Sequence, residues 1–170
     1  MLVKPGMGKA ANLFAEFYRR GALFLGVALP VIALDQLTKY IVKTNMTLGQ
    51  SIPESGLFHW TYVQNTGAAF SIFREHTHLL SIFSIIGIIL LLFIVFYMST
   101  RFDFLRSPWA RLSLGLIMGG TVGNLIDRLS YGYVIDFIDV DFFATFNVAD
   151  AAITVGAVLL AITYIRLARD

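Results

Sequence analysis

Residues 79–98 read L-L-S-I-F-S-I-I-G-I-I-L-L-L-F-I-V-F-Y-M, twenty positions without a single charge. A run of about 20 apolar residues is what an α-helix needs to cross the hydrocarbon core of a bilayer. In lipid, a chain that leaves backbone groups unpaired is strongly penalised, so the run reads as a transmembrane helix. Composition agrees, with 57% of the 170 residues hydrophobic and a mean hydropathy of +0.73, well above a soluble globular chain.

Working outward, three further stretches qualify as spans: about 21–42, 112–129 and 147–167. The predicted fold class is an all-α integral membrane protein with four transmembrane helices. Residues 1–170 form a single membrane-embedded domain, without internal repeat or low-complexity tract. Cations set the orientation. Lys4, Lys9, Arg19 and Arg20 precede the first span, Arg101, Arg106 and Arg111 lie between the second and third, and Arg166 and Arg169 follow the fourth. Lys43, Arg74 and Arg128 fall on the other side, so both termini are predicted cytoplasmic. The basic start followed by G-A-L-F-L-G-V-A-L-P resembles a signal peptide, but the apolar stretch continues without an A-x-A-like cleavage site and is read as a retained first span.

Two outward connections remain, 44–78 and 130–146. The first contains L-F-H-W-T-Y-V-Q-N-T-G-A-A-F, rich in aromatic and β-branched residues with Gly67 as punctuation, and 131–143 has a similar character. Together they predict a small β platform on the outer side, with Trp60 and Tyr62 at headgroup depth.

The chain has no cysteine, which excludes disulfides, thiolate nucleophiles and cysteine metal sites. A pI near 9.0 accompanies a net charge of only +2 without one basic patch, so no nucleic-acid partner is expected. Polar residues nevertheless gather at one level. The third span ends in G-N-L-I-D-R (123–128) and the fourth begins at N-V-A-D (147–150). Asp35 and Lys39, at i and i+4, reach the same depth and suit an ion pair along one helix face. Ionised groups at membrane depth cost a few kcal/mol each on insertion scales, which a working site would explain.

The chemistry such a layer suggests is an aspartic dyad. Two carboxyls held close in a low dielectric share a proton, one activating water while the other polarises a carbonyl. The candidates are Asp127, Asp136, Asp139, Asp141 and Asp150. Asp139 and Asp141 read as solvated loop charge, and Asp127 suits an ion-paired or helix-terminal role. Asp136 and Asp150 stand among apolar neighbours, although capping would equally account for Asn147 and first-turn dipole stabilisation for Asp150. Other classes stay open on residues alone: a proton relay, a metalloprotease using His59, His76 and His78 without H-E-x-x-H, or a structural subunit held by interhelical polar contacts. The third span's G-L-I-M-G-G-T-V-G-N admits either close helix packing or lipid access.

D-Q-L-T-K (35–39), N-T-G-A-A-F (65–70), G-N-L-I-D-R, V-I-D-F (134–137) and N-V-A-D, five motifs in order at span ends, resemble the bacterial lipoprotein signal peptidases, or type II signal peptidases. The resemblance implies a multi-pass protein of the bacterial cytoplasmic membrane with its active site near the outer leaflet. It implies an aspartic endopeptidase that removes signal peptides from prolipoproteins, cutting before a diacylglyceryl-modified cysteine, with no cofactor and no metal. On that resemblance Asp136 and Asp150 are the catalytic pair. Asn65, Gly67, Asn124, Arg128 and Asn147 line the substrate site, and Asp35, Lys39 and Asp127 support it. The implied partners are the modified prolipoprotein, membrane lipid and inhibitors of the globomycin type.

Overall fold

The computed structural model describes residues 7–67, 77–140 and 142–167, with side chains from residue 21 onward. Lys4, residues 68–70, Arg74, His76, Asp141 and Arg169, and the side chains of Lys9, Arg19 and Arg20, lie outside what is described.

Four long helices are present: α1 (Met7–Asn45), α2 (Thr77–Phe96), α3 (Pro108–Tyr131) and α4 (Val148–Leu167). The apolar segments Gly21–Asn45, Thr77–Thr100 and Val148–Leu167 have both the length and the hydropathy to cross a membrane. Helix α3, at 24 residues and therefore about 36 Å long, is less hydropathic because it faces protein more than lipid. It packs against α1, α2 and α4. Its buried positions include Ser113, Gly115, Gly119, Gly120, Gly123, Asn124 and Asp127. The exposed side chains of the outer helices are large and apolar, among them Leu29, Leu37, Ile89 and Ile165.

The glycines settle the choice between packing and lipid access in favour of packing. A Cβ on Gly115 or Gly119 would lie 2.8 Å from the carbonyl oxygen of Phe24 or Ala28 on α1, and one on Gly156 would lie 2.8 Å from that of Ser113. On the opposite face, a Cβ on Gly120 would run into the Ala149 carbonyl of α4. Small residues thus let both neighbours approach α3 at backbone contact.

At the bundle end where α1 and α3 finish and α2 and α4 begin lies a three-stranded antiparallel sheet in the order β1 (Ser51–Ile52), β2 (Phe58–Asn65), β3 (Val134–Val140). The expected pairing of the two connections is present: Trp60 faces Ile138 and Val63 faces Asp136, with a bulge between them. Strand alternation sends Ile135 and Phe137 into a cluster with Val42 and Tyr62. Val134 and Asp136 turn to the other face. Helix α3 closes at Gly132, whose φ of 79° is the left-handed cap that glycine adopts without strain, and β3 starts two residues later.

Candidate active site

After β3 the chain doubles back, and the Phe146 carbonyl accepts the N–H groups of Phe137 and Ile138 at 3.0 and 2.8 Å. That return delivers Asn147 beside Asp136. The Asn147 amide donates to Asp136 Oδ1 at 2.7 Å, while Asn65, ending β2, donates to Asp136 Oδ2 at 2.9 Å.

Asn147 also caps α4. Its Oδ1 accepts the Asp150 N–H at 2.9 Å and its own N–H donates to Asp150 Oδ2 at 3.2 Å, a reciprocal capping box. The remaining oxygen of Asp150, Oδ1, accepts the Asn124 amide at 2.8 Å. Capping and dyad are therefore not rival descriptions of these residues. Each of the four carboxyl oxygens of Asp136 and Asp150 receives one N–H donor, which fixes both groups while leaving lone pairs free.

Asp136 is buried, and burial is the main force raising its carboxyl from 3.8 to about 7. The neighbouring Asp150 charge adds to that rise, while the Asn65 and Asn147 donors and Lys39 oppose it. A carboxyl poised near neutrality suits proton exchange with a substrate.

Behind the dyad lies a buried ion network. Lys39 Nζ is 2.9 Å from Asp35 Oδ2 and 3.0 Å from Asp127 Oδ2, and it donates to Asn124 Oδ1 at 2.9 Å. The ion pair of Asp127 is with Lys39 on another helix, not with its chain neighbour Arg128. Gln36, to which the sequence reading gave no role, donates to Asp127 Oδ1 at 3.0 Å and to the Gly123 carbonyl at 3.1 Å. Only its place inside D-Q-L-T-K hinted at this.

A cavity of about 520 Å³ opens over the dyad at the junction of sheet and bundle. Asp136, Asp150, Asn65, Gly67, Asn124 and Arg128 line it. Asn147 lies beneath the cavity instead of on its wall, wholly buried with its amide engaged by Asp136, Asn124 and the Ile135 carbonyl. Arg128 donates to Ser84 Oγ at a long 3.4 Å, which, among the described residues, leaves most of its five N–H donors available. Asp139 differs from its reading as solvated charge, being half-buried and accepting the Thr61 hydroxyl at 2.8 Å. Among the described residues, no three His, Asp or Glu side chains gather as a metal site. Thr77 was also not foreseen. Its hydroxyl reaches the Thr66 and Gly132 carbonyls at 3.1 and 2.8 Å, tying the end of β2 to that of α3.

Comparison with known proteins shows the family. A family model described as signal peptidase (SPase) II matches residues 27–166. A lipoprotein signal peptidase of Dehalococcoides mccartyi is 47% identical over 146 residues, covering 86% of this chain and 91% of its own. One from Acinetobacter baumannii is 37% identical over 164 residues, covering 93% and 91%. A solved bacterial membrane enzyme, 30% identical, superposes with a TM-score of 0.75 over 84% of this chain and 87% of its own. Sequence and fold thus agree over most of the length, and the chain belongs to the signal peptidase II family, aspartic peptidases that remove signal peptides from prolipoproteins.

Proposed function

We propose that this protein cleaves prolipoproteins immediately before a diacylglyceryl-modified cysteine, using Asp136 and Asp150 as a water-activating dyad. The observation that carries this reading is the pair itself: two carboxyls on one cavity wall, each oxygen held by one amide donor. With Asp136 protonated below about pH 7, Asp150 takes a proton from water as the water oxygen bonds to the scissile carbonyl carbon. Asp136 gives its proton to the carbonyl oxygen. The tetrahedral intermediate then collapses as Asp150 passes the proton it took to the amide nitrogen, one hydroxyl returns a proton to Asp136, and the C–N bond breaks. A carboxyl end on the signal peptide and a free amine on the cysteine result.

Arg128 supports the substrate by offering donors to peptide carbonyls, and Asn65 and Gly67 do so by forming the rim where β2 ends. Orientation is supported by the bundle ends: Arg101, Arg106, Arg111 and Arg166 sit at the end away from the sheet, Lys43 and Arg128 at the sheet end. The sheet therefore faces outward from the cytoplasmic membrane, where the lipid chains of the substrate stay in the leaflet while the peptide enters the cavity. Inhibitors of the globomycin type compete there.

Single-turnover cleavage in water enriched in heavy oxygen tests the chemistry. The label is expected in the new carboxyl of the released signal peptide and in neither aspartate. Label in Asp136 or Asp150 would replace water activation with an acyl-enzyme route.

A further inference from the structure

The ion network behind the dyad has one cation serving three acceptors. An ammonium carries three N–H donors and no acceptor, and Lys39 commits them to Asp35, Asp127 and Asn124 at 2.9, 3.0 and 2.9 Å. Its side chain is 2% exposed and off the cavity wall. It has no proton left for a substrate.

Each acceptor leads to one arm of the dyad. Asp35 uses its other oxygen, Oδ1, to accept the N–H of Ala149 at 3.0 Å, and Ala149 directly precedes Asp150. Asp127 Oδ2 accepts the N–H of Ile135 at 3.0 Å, and Ile135 directly precedes Asp136. Asn124 receives Lys39 on its oxygen, so its amide nitrogen must face Asp150. We propose that Lys39 is the positioning residue of the dyad, setting through Asp35 and Asp127 the two backbone N–H groups that precede Asp150 and Asp136, and through Asn124 the amide that faces Asp150. The proposal rests on the dyad assignment made above.

The electrostatics make Lys39 the keystone of that arrangement. Asp35 and Asp127 are within reach of the same Gln36 amide, at 3.2 and 3.0 Å, and both are almost wholly buried. Without the ammonium, two buried like charges face each other uncompensated. Relief comes by their moving apart, which displaces the N–H groups they hold. Displacement of a reacting group by about 1 Å lowers turnover about a hundredfold while leaving much of substrate binding intact.

The charged groups around Asp136 supply a second readout. Asp150 from α4, Arg128 from α3 and Lys39 from α1 act on it, Lys39 favouring its ionised form. Removing Lys39 should therefore move the alkaline limb of the pH profile upward. Neutralising Asp35 or Asp127 leaves Lys39 less compensated and should move it downward.

The test measures kcat, KM and pH profile on a diacylglyceryl-modified prolipoprotein in detergent. The chains compared are wild type, Lys39→Met, Asp35→Asn, Asp127→Asn, Asp136→Asn and the same-helix control Lys43→Met. Expected are a loss of about a hundredfold in kcat for Lys39→Met with KM changed less than about threefold, opposite shifts of the alkaline limb in the lysine and aspartate variants, and a normal Lys43→Met. Wild-type kcat in Lys39→Met, or lost kcat with an unmoved limb, overturns the proposal. If Lys39→Met is not recovered folded, Asp35→Asn and Asp127→Asn decide, because each keeps an oxygen for its N–H. Lowered kcat with a downward limb upholds the proposal, and wild-type behaviour in both overturns it. An inactive wild type or an active Asp136→Asn would instead sink the dyad assignment, whatever Lys39 does.

Discussion

Asp136 and Asp150 are prepared differently although each receives two N–H donors. Asp136 is almost wholly buried on a strand, whereas Asp150 is half-buried in the first turn of α4. Because folding raises the Asp136 carboxyl from 3.8 to about 7, the folded state binds its proton more tightly than the unfolded chain does. The stability this contributes is full below about pH 3.8 and gone once pH has risen through about 7. The melting temperature in detergent is therefore expected to be higher at about pH 6 than at about pH 8, by a margin that shrinks in Asp136→Asn. Cleavage should fall along the same limb as Asp136 loses its proton. Asn147→Ala removes a cap worth about 0.5–2 kcal/mol together with a donor to Asp136, so both melting temperature and kcat should drop. The sequence alone left five aspartates as candidates, and family resemblance singled out two of them. The double duty of Asn147 was not legible, because capping and catalysis call for the same residue types at the same helix start.

At the scale of elements, the decisive contact is α3 against α4. Gly120 lies directly under the Ala149 carbonyl, and Ala149 precedes Asp150, so any side chain at 120 pushes the start of α4 away from Asn124. Gly120→Ala is expected to destabilise the protein by about 1–3 kcal/mol and to lower kcat. Gly87→Ala, where a Cβ meets nothing within 4 Å, should be neutral or stabilising. Thermal unfolding and turnover of the two variants check this. Helices α1, α2 and α4 were readable because hydrophobic run length is a direct physical requirement of the bilayer, while α3 shows that pattern more weakly. Which face each α3 glycine uses was not readable, since G-G-T-V-G-N offers small residues to several neighbours at once. The two-residue strand β1 was likewise invisible, as its pairing with Thr61 and Trp60 comes from tertiary contact.

For the whole molecule, segments remote in sequence meet in one site: the end of α1, the end of β2 at Asn65, and the continuous stretch from the end of α3 through β3 to the start of α4; its outward facing is the proposal. Sidedness is accessible because the chain has no native cysteine. A cysteine placed at Leu57, which is 74% exposed beyond the sheet, should react with an impermeant thiol reagent added outside intact cells. One at Asp103, whose side chain is 91% exposed at the other end, should react only after lysis. The reverse pattern would invert the topology. The four-helix layout was legible from the apolar runs and the site residues from the five motifs, whereas the contacts that join 35–39, 65, 124–128, 136 and 147–150 took the fold to show. The most direct test of the Asp136–Asp150 dyad is cleavage of a diacylglyceryl-modified prolipoprotein by the purified protein in detergent with a chelator present, comparing wild type with Asp136→Asn, Asp150→Asn and Asp139→Asn. Wild type and Asp139→Asn are expected to cut and the two dyad variants to fall by about a thousandfold or more. Undiminished cleavage by Asp136→Asn or Asp150→Asn, or loss of wild-type cleavage to the chelator, would contradict the dyad.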